Sequence, residues 1–397
     1  MNCKKCINKI KTYGLSFLKG KKHNLNEESD VVVLLFFGRI GDAVMFLDAL
    51  DGYKKLYIHD QHKKIVFACR NEVLALLKTL NKADDLDFIE INREKLASSY
   101  AYFIDRVKAI NSKKPKIILN IRENHIIENV FVHSLDGSEK LIYRVYPIEH
   151  NNKWSKYFSS HTYTMDLSGT EDMDHLTSQA DLLRKLGLEN FKSSIPALPK
   201  FDSDADIERG SYVCLCPGAS VLNKCWPIER YSKVIDYIHE NSKLNVVICG
   251  GKAEQEISSK IISGVKDKSR VFDFVGKSDM KGWIALIQNS AFVVCNESAS
   301  VHLAACSDMP AICIGEQKFG DKWLPYRPEV LHSNNRIPVM VRSQKLPCSF
   351  CAKKNFERDT ECKKCFAENG VIRCVYEVTE QMITDAIGQF LKEYTVQ

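Results

Sequence analysis

The sequence has no stretch approaching the ~20 apolar residues that a membrane-spanning helix requires. Its longest apolar run near the start, Val31–Phe37, has the length of a strand. The opening segment, Met1 to Lys22, is basic but lacks the apolar centre and the small-residue cleavage site of a secretory signal. These absences predict a cytoplasmic protein. An excess of one charge sign is missing too: 56 Lys+Arg against 50 Asp+Glu leave a net +6, spread widely and without a basic–aromatic stripe. That balance suits anionic substrates or a lipid surface and does not support a nucleic-acid partner. Short repeats and long low-complexity tracts are also missing.

Cysteine, by contrast, is plentiful at 15 residues. Disulfide scaffolds are short chains, and this one is long. Cys214, Cys216, Cys249 and Cys313 lie inside apolar, strand-like runs, where a thiol behaves as a small buried hydrophobe. With 397 residues, the chain suits two domains of about 150–200 residues each.

Strand-like and helix-like segments alternate twice along the chain. In the first half, strands at Val31–Phe37, Lys64–Ala68 and Lys116–Leu119 alternate with helices at Gly41–Tyr53 and Glu72–Leu80. A helix from Thr177 to Leu186 ends at Gly187, as a helix stop should. The polar stretch Ser193 to Asp206 reads as an interdomain linker. The rhythm restarts with strands at Tyr212–Cys216, Asn245–Cys249, Val271–Phe274, Phe292–Cys295 and Ala311–Ile314. Between them fall helices at Pro227–Asn241, from Glu254, at Met280–Asn289 and at Ser300–Ser307. A last helix, Thr379–Tyr394, is expected to pack back across the first domain. The fold class is therefore α/β, two Rossmann-like domains with parallel sheets whose ligands bind at the carboxyl ends of the strands. The expected domains are a basic N-terminal segment (1–30), a first Rossmann-like domain (31–195), a second (205–345), a Cys-rich segment (346–375) and a terminal helix (376–397).

Four turns carry chemistry. Gly38-Arg39-Ile40-Gly41-Asp42 leaves the first strand; its glycines allow a tight turn and a close ligand approach. Asp42 there is placed either to accept a proton from a hydroxyl or to cap the helix. The turn lacks the third glycine of a dinucleotide fingerprint, which disfavours a dehydrogenase. Pro217-Gly218-Ala219-Ser220, followed by Lys224-Cys225-Trp226-Pro227, combines a small-residue loop, a hydroxyl and a point charge just before a helix. That is the arrangement a diphosphate needs. Gly250-Gly251 ends a strand and Glu254 opens a helix, a place for a ribose contact. Asn296-Glu297-Ser298-Ala299-Ser300-Val301-His302 leads from a strand into a small-residue helix. Glu297 there suits ribose or sugar hydroxyls and His302 a phosphate, while Ser298 or Ser300 suits a cap. Cys348, Cys351, Cys362 and Cys365 have the pair-and-pair spacing of a structural zinc site; a set of reduced thiols in a lysine-rich loop stays open as the alternative. Cys3 and Cys6 form a weaker pair.

The order of these motifs resembles the heptosyltransferase family (glycosyltransferase family 9). The opening Gly38–Asp42 turn is similar to that family's S-x-G-D turn, and Pro217–Ser220 with Lys224-x-Trp226-Pro227 to its P-G-A-S…K-x-W-P element. Val247-x-x-Gly250-Gly251, Phe274-Val275-Gly276, and Asn296 to Ala305 follow in the family's order, with Trp323-x-Pro325 after them. His175 and Leu182 to Gly187 resemble the end of its first domain. The match spans roughly residues 31 to 330.

The resemblance implies a GT-B fold, two facing Rossmann-like domains, with the acceptor on the first domain and a nucleotide-sugar donor on the second. It implies inverting transfer, independent of metal and of any other catalytic cofactor, of a heptose or related sugar to a bacterial surface glycan such as lipopolysaccharide core. Asp42 takes the place of the family's general base, with Gly38, Arg39 and Gly41 on the acceptor-side loop. Ser220, Lys224, Glu254, Glu297, Ser298, Ala299 and His302 fall on its donor side. Two departures stand out: Glu297 replaces the family's Asp, and Ala299 its glycine. A non-catalytic nucleotide- or glycan-binding scaffold and a sugar-nucleotide epimerase of the same fold are the rival readings. The basic start fits peripheral contact at the inner face of the membrane as well as it fits a solvated tail.

Overall fold

The computed structural model describes residues 28–121, 126–143, 153–167, 173–203, 205–316, 323–332, 336–343, 346, 366–367 and 369–395. The chain divides into two compact units that meet between Ser193 and Ser194.

The first unit runs β1 (Val31–Leu35), α1 (Ile40–Val44), α2 (Leu47–Tyr53), a π-helical turn (Lys54–Asp60), β2 (Lys64–Cys69), α3 (Asn71–Thr79) and β3 (Leu86–Glu90). It continues with α4 (Arg93–Ser98), α5 (Tyr100–Asn111), β4 (Ile117–Asn120), α6 (Ile126–His133), β5 (Glu139–Ile142), α7 (Lys153–Thr162), β6 (Met165–Asp166) and α8 (His175–Lys185). All six strands are parallel, in the order β3-β2-β1-β4-β5-β6.

The second unit runs β7 (Tyr212–Cys216), α9 (Ile228–Asn241), β8 (Asn245–Ile248), α10 (Gln255–Ser263), β9 (Val271–Asp273), α11 (Met280–Gln288), β10 (Phe292–Asn296), α12 (Ala299–Cys306), β11 (Ala311–Ile314), β12 (Val339–Val341), α13 (Arg373–Tyr376) and α14 (Glu380–Thr395). Its sheet, again all parallel, reads β9-β8-β7-β10-β11-β12. Each sheet thus has the doubly wound order 3-2-1-4-5-6, in which connections leave the first and fourth strands towards opposite edges and open a crevice at their carboxyl ends.

Burial explains why the strands read as continuous apolar runs. Val32, Val33 and Leu34 are fully buried, as are Val213, Cys214 and Leu215, because helices cover both faces of a parallel sheet. Helix α9 shows the complementary pattern: Tyr231, Val234, Ile235 and Ile238 fall on one buried stripe, spaced at three and four residues. Pro227 stands one residue before this helix, as its N-cap.

Three expectations are modified. The helix expected over Gly41–Tyr53 is broken at Met45-Phe46; the break brings the Phe46 ring to 4.8 Å from Phe36 and 6.0 Å from Phe67. The polar stretch after Ser193 is held to the second unit: Ile195 donates to Val330, Leu198 to Cys306, and Phe201 to the Gln288 side chain. The terminal helix α14 also packs within the second unit, where Ile383, Ile387 and Leu391 join the core formed by α9 and the sheet.

Candidate functional site

In the second unit the crevice lies where β7 and β10 end, and Asn296, the last residue of β10, joins its two walls. Asn296 is fully buried. Its amide donates to the Pro217 carbonyl (2.5 Å), and its oxygen accepts from the Trp226 amide (3.2 Å) and the Tyr231 hydroxyl (2.9 Å). One side chain therefore ties the Pro217–Ser220 loop, the entry to α9 and the turn into α12 together. Trp226 is locked from the other side, its indole N–H donating to Val378 at 2.8 Å.

Lys224 and Glu297, expected on sequence grounds, are brought together by a residue that the motifs did not single out. Glu316, just past β11, is 3% exposed. Its Oε1 accepts from Lys224 Nζ at 2.9 Å, and its backbone N–H donates to Glu297 Oε2 at 3.1 Å. Glu297 is part-exposed as a residue, but its carboxyl head sits among protein atoms. Desolvation and then the charge of Glu316 push its pKa up to about 7, against the pull of Arg342 and Lys224. Near neutral pH Glu297 is thus close to half-protonated, beside the Glu316 carboxyl and the side chains of Arg342 and Lys224.

Glu254 is packed against the glycines of both neighbouring turns. A Cβ on Gly218 would lie 3.0 Å from its Oε1, and one on Gly250 or Gly251 3.2 Å from its Oε2. Burial raises the Glu254 pKa despite the amide hydrogen bond from Gly251. Ser220 is exposed on the loop. Ser298 is the N-cap of α12 and its hydroxyl donates to Ser300 at 3.4 Å; Ala299 is the first residue of that helix. His302 is buried and its Nδ1 lies 2.7 Å from the Tyr326 hydroxyl, with the Trp323 ring 6.2 Å away. The structure gathers Ser220, Lys224, Glu254, Glu297, Ser298, Ala299 and His302 on the turns and helix starts that follow β7, β8 and β10 of one sheet.

In the first unit, Asp42 is the third residue of α1, and Arg39 is the N-cap. The carboxylate reaches back to accept the Arg39 N–H at 2.8 Å. Gly38 is required for this: a Cβ there would lie 2.7 Å from Asp42 Cβ and 2.7 Å from the Phe36 ring. The Arg39 guanidinium donates to Glu94 (3.2 Å), which also takes a hydrogen bond from Arg70 (2.7 Å). Burial opposes ionisation of Glu94, but the Arg70 hydrogen bond and the charges of Arg70 and Arg39 outweigh it and hold its carboxyl below the usual range. This Arg39–Glu94–Arg70 group was not legible in the motifs, because Arg39 and Arg70 lie on the turns after β1 and β2 and Glu94 in the first turn of the helix after β3.

Cys348, Cys351, Cys362 and Cys365 lie outside the described residues, as do Cys3 and Cys6. Among the described residues, Cys214, Cys216, Cys249, Cys295 and Cys313 are free thiols buried in the second unit, and no group of side chains has the arrangement of a metal site. Among the same residues, no helix is long and apolar enough to cross a membrane.

Residues 162–350 match glycosyltransferase family 9 (heptosyltransferase). A lipopolysaccharide heptosyltransferase 3 from Escherichia coli is 23% identical over 307 residues, covering 75% of this chain and 85% of that protein. Among solved structures, a family 9 glycosyl transferase from Veillonella parvula superposes with a TM-score of 0.65 at 14% identity, covering 91% of this chain and 97% of the other. An E. coli heptosyltransferase bound to ADP-2-deoxy-2-fluoro heptose superposes with a TM-score of 0.58 at 13% identity, covering 90% and 99%. The resemblance read from the motifs therefore holds: the chain is heptosyltransferase-like, with the two parallel-sheet units of the GT-B architecture.

Proposed function

We propose that this chain, a glycosyltransferase of the family 9 heptosyltransferase type, moves a heptose or a related sugar from a nucleoside-diphosphate donor to a bacterial surface glycan, with inversion and without a catalytic metal. ADP-heptose is the donor that its similarity to the ADP-heptose-analogue complex favours, and lipopolysaccharide core the acceptor class that its similarity to the lipopolysaccharide heptosyltransferase favours. The reaction takes place on the cytoplasmic side of the membrane.

One observation carries this reading: the second unit gathers a lysine, a small-residue helix start and two acidic residues at the crevice between β7 and β10. An all-parallel doubly wound sheet binds nucleotides in that crevice. Lys224 and the first amides of α12 meet the diphosphate, Ser220 adds a hydroxyl, and His302 faces a phosphate oxygen. Glu254 and Glu297 take ribose or sugar hydroxyls. The first unit binds the acceptor, where Asp42 accepts the proton of the attacking hydroxyl. The acceptor oxygen forms the new bond to the anomeric carbon as the bond to the diphosphate oxygen breaks. Nucleoside diphosphate leaves from the opposite face, its charge taken up by Lys224 and the helix amides.

The test is acceptor-dependent release of nucleoside diphosphate from a panel of nucleotide-sugars, ADP-heptose included, with chelator present. Release that needs an acceptor is the expected result. Donor binding without consumption would make the chain a binding scaffold, and interconversion of the donor sugar without an acceptor would make it an epimerase.

A further inference from the structure

If Lys224 meets the donor's diphosphate, as proposed above, its ammonium meets an anion that already has a competitor within the fold. We propose that Glu316 is a counter-anion that competes with the diphosphate for Lys224, so that donor binding exchanges a carboxylate partner for a phosphate one and Glu316 sets donor affinity. The inference rests on the reading of Lys224 as the phosphate-binding cation, but Glu316 itself belongs to none of the motifs behind that reading.

The geometry of Glu316 is that of a group held for a competing role. Glu316 is 3% exposed and places Oε1 2.9 Å from Lys224 Nζ. Its second oxygen, Oε2, is buried and has no hydrogen-bond partner among the described residues. Buried carboxylates in a purely structural ion pair normally have both oxygens satisfied, since each unpaired one forfeits its hydration. Glu316 leaves one unfilled and stands beside a second carboxyl, Glu297, which its own amide holds at 3.1 Å. The charges of Arg342 and Lys224 stabilise such a pair, and a diphosphate drawing the Lys224 ammonium away leaves the two carboxyl groups with one cation fewer.

The groups that face this pair come from every surrounding element. Lys224 comes from the loop before α9, Arg342 from just after β12, Glu297 from the turn between β10 and α12, and Tyr326, packed on His302, from the segment after α12. Lys224 and Arg342 favour the ionised form of Glu297, whereas burial and Glu316 oppose it. Transfer of the Lys224 charge to a phosphate therefore shifts the balance towards protonated Glu297. Donor binding near neutral pH draws a proton from solvent.

Titration calorimetry of the full chain at pH 7, with ADP and separately with inorganic pyrophosphate, in two buffers of different ionisation enthalpy, tests the proposal. Glu316→Gln keeps the shape and an acceptor for Lys224 but removes the charge; Glu316→Asp keeps the charge. The expected result is that Glu316→Gln binds pyrophosphate and ADP about tenfold tighter than the wild type, through loss of like-charge repulsion, and takes up less proton on binding. Glu316→Asp stays near the wild-type affinity. Equal or weaker binding by Glu316→Gln overturns the proposal, because Glu316 then supports the anion site rather than competing with it. Lys224→Ala separates this failure from failure of the underlying reading. If Lys224→Ala binds both probes as well as the wild type does, or if the wild type binds neither, Lys224 is no phosphate ligand and the counter-anion role falls with it. Pyrophosphate bound in a Lys224-dependent way without ADP removes only the nucleotide assignment and leaves the competition intact.

Discussion

The carboxylate of Asp42 accepts the backbone N–H of Arg39 at 2.8 Å, so the residue proposed as the base is also the clasp of its own turn. The two roles that the sequence left as alternatives are compatible, since an ionised carboxylate has about four lone-pair sites and the Arg39 N–H occupies one of them, on Oδ2. An amide oxygen at the same position still caps Arg39 but takes up no proton. Asp42→Asn is therefore expected to keep the melting temperature within a few degrees and to bind donor normally. Turnover should fall by about 10²-fold or more, as for loss of a general base. Steady-state kinetics with a thermal melt on the same sample checks it; near-normal turnover removes Asp42 from the role.

The Lys224–Glu316 pair predicts an asymmetric pattern in stability. Lys224→Ala strips a 2.9 Å hydrogen bond and its positive charge from a carboxylate that is 3% exposed, which costs up to about 3 kcal/mol, reduced because Lys224 itself is 27% exposed. Combining it with Glu316→Gln removes the stranded charge and should recover most of that loss. Donor binding should not recover with it. Urea unfolding of the two variants, followed by a donor-binding measurement on the double variant, separates the stability role from the phosphate role.

Glu297 supplies a pH dependence with a definite sign. Its folded pKa is raised to about 7 from an ordinary 4.5, chiefly by desolvation and then by Glu316. The folded state therefore holds this proton more tightly than the unfolded chain, so the contribution of Glu297 to stability is fully present below about pH 4.5 and is lost as pH rises through about 7. Glu297→Gln should be relatively more stable towards pH 8 and should show a flatter melting temperature between pH 5 and 8 than the wild type. An unchanged slope in a thermal-melt series would mean that Glu297 titrates normally.

The turn motifs were readable because each depends on neighbours in the chain: strand, glycine, polar residue, helix. The strands Tyr212–Cys216 and Ala311–Ile314 appear with the bounds that apolar patterning predicts, since a parallel strand covered on both faces reads as an unbroken apolar run. Short or mixed strands such as Leu86–Glu90 and Val339–Val341 escaped, because these edge strands are only partly buried and lose the unbroken apolar run. Glu316 escaped for another reason. Nothing before or after it marks a site, and its importance comes from Lys224, 92 residues away in the sequence. The Arg39–Glu94–Arg70 group is likewise a product of strand order, which brings three distant turns to one sheet edge.

Asn296 predicts how far a single hydrogen-bond hub carries the second unit. Its three bonds, to Pro217, Trp226 and Tyr231, are all buried. Asn296→Ala leaves a carbonyl, an amide and a hydroxyl short of partners, at about 1–3 kcal/mol for each buried group that finds no water. A net loss of several kcal/mol is expected, with donor affinity falling in parallel because the Pro217–Ser220 loop loses its tie to β10. Asn296→Asp distinguishes the bonds: a carboxylate still accepts from Trp226 and Tyr231 but faces the Pro217 carbonyl as one acceptor against another. It should be destabilised more at pH 8 than at pH 5, where protonation restores a donor.

Gly38 tests whether the turn's shape, rather than the presence of Asp42 alone, matters for the reaction. An added methyl would lie 2.7 Å from Asp42 Cβ and from Cζ of Phe36. Phe36 is packed against Phe46 and Phe67 and is 1% exposed, so its ring has little room to give. Overpacking of a filled core costs typically 1–3 kcal/mol. The displacement must then fall on Asp42, whose clasp on Arg39 should lengthen. Gly38→Ala should therefore lose turnover at 20 °C even where circular dichroism shows it folded, with the donor KM little changed because the donor side belongs to the other unit. A variant that is destabilised yet turns over at the wild-type rate when folded would show that the carboxylate needs no such placement.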